Sequence, residues 1–104
     1  MQVTFTIPIN STASNAVRVD TNELNRILIP SAMDGTTLKV QHCETSDGTF
    51  TDLYYNNSQV LISSTVSTTQ KFTPGTMYRL RYIRLVSNAT ETAARTIIGQ
   101  TESV

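Results

Sequence analysis

The carboxylates Glu44, Asp47 and Asp52 crowd into the stretch "ETSDGTFTDLYY", on both sides of Gly48. Closely spaced acids are the raw material of a calcium loop, in which several oxygens converge from a frame such as D-x-[DN]-x-[DN]-G. The spacing here fits no such frame. Glu44 and Asp47 flank only Thr45 and Ser46, and Asp52 lies beyond the glycine. Asp47-Gly48 has instead the composition of a tight hairpin turn with left-handed central residues, and the stretch is expected to be a hairpin tip. The chain holds one histidine and one cysteine, His42 and Cys43. Adjacent residues on a strand point to opposite faces, so the two cannot act as base and nucleophile on each other. Zinc needs more such ligands than the chain has. No metal site and no cofactor is expected, and Cys43 is read as a packed thiol.

Two further groups of side chains offer recognition rather than catalysis. Arg79, Arg81, Arg84 and Arg95 form a basic group near the C-terminal end. Such a group suits a phosphate, a carboxylate or an acidic partner surface. The zero net charge favours instead internal pairing across the sheet with carboxylates such as Asp52 or Glu91. The tyrosines Tyr54, Tyr55, Tyr78 and Tyr82 suit protein interfaces, and rings of this kind also stack on sugars. Phe50 is expected in the core.

These side chains need a scaffold. With 104 residues the chain has the length of one domain. Charged residues are only 15%, against roughly 25% in ordinary soluble domains. Ser, Thr and Asn take up the difference, and β-branched Thr suits the solvent face of a strand. The formal net charge of zero argues against an electrostatic grip on nucleic acid or an acidic membrane surface. The start "MQVTFTIPIN" lacks a basic segment followed by an apolar run, so no secretory leader is expected. The apolar runs are too short for a transmembrane helix.

Periodicity gives the elements. Val3, Phe5, Ile7 and Ile9 alternate with polar residues, which predicts a half-buried strand. Pro8 places that strand at an edge or a bulge. Residues 16–20 and 25–29 read as short strands with a turn over 20–24. Thr37 to Cys43 reads as a strand with Leu38 and Val40 inward, returning over Thr49 to Tyr55. Asn56-Asn57-Ser58 marks a turn before a strand over Gln59 to Ile62, and 63–71 is an exposed strand or loop. Thr73-Pro74-Gly75-Thr76 is a turn. Tyr78 to Val86 is predicted as the longest and a central strand, with Ile83 and Leu85 inward and Leu80, Tyr82 and Val86 as a second apolar stripe. Thr92 to Gln100 closes the set. Short strands at this spacing predict an all-β, single-domain antiparallel sandwich, jelly-roll or galactose-binding-like, of about 7–8 strands with little or no helix.

Two stretches carry a resemblance. The pattern Leu38, Val40, Ser46, Asp47, Gly48 and Phe50 resembles the strand, hairpin and aromatic residue of discoidin-like sandwiches. Arg81, Tyr82, Ile83, Arg84 and Leu85 resemble the "RY-aliphatic-R-L" strand of the same galactose-binding-like group. The order of motifs from Val17 to Ile98 is closer still to small tailed-bacteriophage virion proteins. Phe50 stands where discoidin lectins carry tryptophan, and their paired cysteines are missing, so no sugar site is carried over. The resemblance implies a sandwich fold and a virion role, with no catalytic residue.

The function expected on this basis is non-enzymatic: a capsid decoration, or cement, protein that stabilises a phage head through protein–protein contacts. The alternative is a carbohydrate- or receptor-binding module of a head fibre or tail component. An enzyme would have to draw its acid and base from solvated hairpin carboxylates, whose pKa values are hard to shift. The expected partners are the major capsid protein or other virion proteins and further copies of the chain, as a dimer or trimer, and the location is the virion. The candidate interface is Val3, Phe5 and Ile7, acting as an assembly strand on residues 1–15, together with Tyr54, Tyr55, Arg79, Arg81 and Arg84. Residues 99–104 are expected to form a flexible tail.

Overall fold

A computed structural model describes residues 1–19, 22–65, 68–77 and 79–103. The described residues are all-β. The strands are β1 (Gln2–Ile7), β2 (Val17–Arg18), β3 (Asn22–Leu28), β4 (Thr37–Cys43), β5 (Thr51–Asp52), β6 (Tyr54–Tyr55), β7 (Ser58–Gln59), β8 (Leu61–Ser63), β9 (Thr69–Lys71), β10 (Tyr82–Ser87) and β11 (Arg95–Ser103). One sheet, here the A sheet, runs β1-β11-β3-β9. The B sheet runs β2-β10-β4, with both β5 and β8 on the far side of β4. All pairings are antiparallel. Apart from the β4–β8 excursion, successive strands alternate between the sheets, which is the connectivity of a jelly roll. The strands exceed the expected 7–8 because the return after β4 is broken into two- and three-residue pieces.

The alternation of apolar residues explains the packing. Phe5, Ile7, Leu24, Ile27, Ile97 from the A sheet and Leu38, Val40, Ile83, Leu85 from the B sheet are all fully buried between the layers. Each such side chain contributes roughly 1.5–3 kcal/mol by leaving water. Gly99 makes room on the inner face of its own sheet: a Cβ there would stand 2.9 Å from Leu24 on one neighbouring strand and 3.0 Å from Val3 and 3.2 Å from Phe5 on the other. A bulge at Asn25, opposite the Gln100–Thr101 step, lets β3 set Leu24 inward with Thr101 while Glu23 and Glu102 pair outward.

Several expectations need correction. The longest strand is β11, of nine residues, and not the Tyr78–Val86 segment. Strand β10 begins only at Tyr82, because Arg79 takes a left-handed φ of 57° that no ladder accommodates. It is central, as expected, between β2 and β4. The second apolar stripe divides: Leu80 packs on the core, while Tyr82 and Val86 are half-buried on the opposite face of β10 from Ile83 and Leu85. Residues 99–103 are not a free tail. They continue β11, and Thr101, Glu102 and Ser103 pair with Leu24, Glu23 and Asn22. Asn22 to Leu24 likewise belong to β3 and not to a turn. Asp20, Thr21 and Tyr78, together with Val66 and Ser67 of the 63–71 segment and Val104 of the expected tail, lie outside the described residues.

The N-terminal segment is not a free arm either. Strand β1 is an edge strand paired with β11 from Gln2 to Ile7. Its outer edge is blunted by Asn15, whose Oδ1 accepts the Thr6 N–H at 2.7 Å and whose own N–H bonds Thr6 O at 3.3 Å. Beyond Ile7 the alternation fails: Pro8 ends the strand and Ile9 is 57% exposed.

Candidate functional site

The Asp47-Gly48 segment does not make the expected tight turn. Strand β5 pairs with β4 only from Thr51 and Asp52, opposite His42 and Gln41, so the connection is a longer loop. Among the described residues, the non-glycine residues with positive φ are Asn10, Asn56, Asn57 and Arg79, and the glycine is Gly75 and not Gly48. Gly48 is needed for closeness instead: a Cβ there would meet Cys43 Sγ and Thr45 Oγ1 at 2.6 Å each. The tight hairpin lies nine residues on, where Asn56 (φ 52°) and Asn57 (φ 65°) join β6 to β7.

Of the three hairpin carboxylates, Glu44 and Asp47 are exposed in the loop, and Asp52 is drawn onto the outer face of the B sheet. There it accepts hydrogen bonds from Gln41 Nε2 (2.9 Å) and Gln59 Nε2 (3.2 Å) and pairs with Lys39 Nζ (3.2 Å). Gln41 in turn accepts the Arg84 Nε–H at 2.7 Å, and the Arg84 guanidinium lies 4.6 Å from the centre of the Phe50 ring. Phe50 is therefore half-buried under Arg84 rather than in the core. The Gln41 bond, aided by Lys39, holds the Asp52 carboxyl below the usual range. This cross-strand polar ladder fixes a shallow groove of about 330 Å³ lined by Thr37, Lys39, Gln59, Leu61, Val86, Ser87 and Asn88.

The arginines do not form one patch. Arg84 belongs to the ladder, Arg79 and Arg81 are exposed before β10, and Arg95 opens β11 at one end of the sandwich. There Arg95 completes a clamp that the sequence reading did not assemble. Glu91 is fully buried. Its Oε1 accepts the Asp34 N–H and the Arg95 Nε–H, both at 2.9 Å. Its Oε2 accepts the Gly35 N–H at 2.9 Å and the Ser87 hydroxyl at 2.8 Å. Asp34 accepts Arg95 Nη2 at 2.7 Å and both the N–H and hydroxyl of Thr92 at 3.0 Å. Asn88 Oδ1 takes the N–H groups of Thr36 (2.8 Å) and Thr37 (3.3 Å). A Cβ on Gly35 would collide with Ser87 Oγ and crowd Asn88 Oδ1, two atoms that the clamp already holds, so the cradle favours glycine.

Burial pushes the Glu91 carboxyl up, but the Asp34 and Gly35 amides, Ser87 and Arg95 together outweigh it and leave it below the ordinary value. The Thr92 amide, with Arg95, lowers Asp34 to about 2. Carboxylates so fully bonded stay ionised at neutral pH and serve as ties between the 30–36 and 88–95 connections. The signal for this clamp in the sequence is the Glu91-x-x-x-Arg95 spacing, which names the pair but not the distant Asp34-Gly35 turn that completes it.

The remaining candidates are scattered. Val3, Phe5 and Ile7 lie in the chain's own core, so an assembly role for these side chains requires β1 to leave its sheet. Tyr54 is 60% exposed and stands opposite Gln59. Tyr55 is half-buried, with its hydroxyl beside Gly75. Cys43 is a free thiol facing the opposite side of β4 from His42. Among the described residues no group of three or more His, Cys, Asp or Glu is placed to hold a metal ion. No family model, no curated protein and no solved structure matches this chain.

Proposed function

We propose that this chain is a non-enzymatic structural protein of a tailed-bacteriophage virion, a decoration protein that cements the capsid through protein–protein contacts. The observation that carries the reading is that three exposed large apolar side chains lie away from the ends of strand β1, where Met1 and Ile9 are exposed. Leu28 (47% exposed) stands on the outer face of the A sheet, Leu61 (56%) lines the B-sheet groove, and Tyr54 (60%) stands opposite Gln59 of that groove. Meanwhile the connections at the clamp end are tied down by internal hydrogen bonds. A rigid body with sticky broad faces loses little conformational entropy on docking, which suits many weak, repeated contacts. The motif order from Val17 to Ile98 supplies the virion context. The test is addition of the purified protein to expanded shells that lack it. A cement binds them saturably and raises their melting temperature; a protein that does neither is not a cement.

A second reading, a carbohydrate-binding module, is favoured by one arrangement. Exposed Tyr54 stands opposite Gln59, which lines the groove with Lys39 and Asn88. Saturable glycan binding that is lost in Tyr54→Ala would favour it over the cement.

A further inference from the structure

We propose that the outer face of the A sheet is the contact surface for a second copy of this chain, in a two-fold pair held by exchanged charges. The face carries two like-charge couples in direct register. Arg26 on β3 is the cross-strand partner of Lys71 on β9, and Glu23 on β3 is the partner of Glu102 on β11. Like charges directly opposite on a sheet are destabilising. Among the described residues, neither couple forms an ion pair with the other, although both share β3. Elsewhere the molecule does pair its charges: Asp34 and Glu91 with Arg95, Asp52 with Lys39.

The two couples sit on either side of Asn25. Each borders a shallow cavity, one of about 200 Å³ lined by Arg26, Leu28, Ile98 and Gln100, the other of about 170 Å³ lined by Glu23, Asn25, Phe72, Pro74 and Glu102. A two-fold axis lying in the interface and crossing β3 at Asn25 sets each cation couple over the other copy's anion couple. One long basic side chain fits the acidic cavity, its methylenes against Phe72 and Pro74 and its charge between the carboxylates. Asn25 Oδ1, buried and without a hydrogen-bond partner, lies at this axis. The contact is isologous, as a two-fold interface must be. A standard interface buries roughly 800 Å² per partner, and one broad face of a body 34 × 28 × 28 Å offers that area.

The inference extends the assembly reading to a named surface and is decided in solution without any shell. Sedimentation velocity of the full chain is expected to show a species of twice 11.5 kDa at roughly 0.05 M NaCl. Its affinity should fall at least tenfold at roughly 0.5 M, where such charges are screened. Arg26→Glu/Lys71→Glu and Glu23→Lys/Glu102→Lys are each expected to be monomeric alone and to recover the dimer mass when mixed. Glu102→Lys alone replaces the second variant if loss of the 2.6 Å bond from Gly75 to Glu23 unsettles the neighbouring turn. A wild type that stays monomeric at low salt overturns the proposal, as does a salt-indifferent dimer or a mixture that fails to recover it. A monomer that still binds shells would overturn this inference and leave the cement reading standing.

Discussion

The clamp around Glu91 and the outer face of the A sheet hold similar charged residues in opposite arrangements. In the clamp, Arg95 lies 2.7 Å from Asp34 and 2.9 Å from Glu91, and both oxygens of the buried carboxylate are occupied twice. On the A-sheet face, cation stands beside cation and acid beside acid. The first arrangement spends its electrostatics inside the chain and joins two loops that are far apart in sequence. The second leaves its charges without a counter-charge among the described residues, although Glu23 accepts the Gly75 N–H, which suits a surface that another molecule completes. The B-sheet ladder lies between these extremes: Asp52 gathers Lys39, Gln41 and Gln59 at an exposed site, where pairing contributes little to stability.

If the clamp is a structural tie, removing its centre has the largest effect. Glu91→Ala leaves two amides, a hydroxyl and a guanidinium without their acceptor and is expected to cost about 3–5 kcal/mol in chemical denaturation. A loss near zero would show that the clamp is ornamental and would erase the contrast with the A-sheet face.

Acid should act on the same region, more gradually. The Asp34 carboxyl is lowered from 3.8 to about 2 in the fold, so folding favours its ionised form. That contribution is complete above the unfolded value and drains away as the pH falls toward the folded one. Glu91 and Asp52 are shifted in the same direction. The melting temperature should therefore be level above roughly pH 5 and fall steadily below it. A melting temperature that rises between pH 4 and pH 2 would contradict the assignment of these carboxylates as ionised acceptors.

The layers were more legible in the sequence than the site. Alternation placed Val3, Phe5, Ile7, Leu38, Val40, Ile83 and Leu85 inward, because burial on one face of a strand imposes a period of two. It wrongly placed Ile9 on the same face, since Pro8 ended the strand before that position and left Ile9 exposed. Turn chemistry was read correctly in kind at Asn56-Asn57 and at Pro74-Gly75, where φ is 94°. At Asp47-Gly48 the same composition served a wider loop, in which the glycine makes room for Cys43 and Thr45. The clamp depends on contacts 56 to 61 residues apart, and no local pattern encodes these. The like-charge couples depend on register across a bulge, which is equally invisible until β3, β9 and β11 are side by side.

The smallest expected effect tests the contrast most directly. Lys71→Glu turns the Arg26 couple into an opposite-charge pair within one chain. The variant should gain about 0.2–1 kcal/mol as a monomer while losing the charge that a second copy would meet. The measurement is the melting temperature of wild type and Lys71→Glu across protein concentration at low salt. A dimer makes the melting temperature depend on concentration. The wild type should therefore melt higher as concentration rises, and Lys71→Glu should start higher in dilute solution and stay flat. A wild-type melting temperature that ignores concentration, or a Lys71→Glu variant that melts below it in dilute solution, would contradict the claim that this face is left for a second copy.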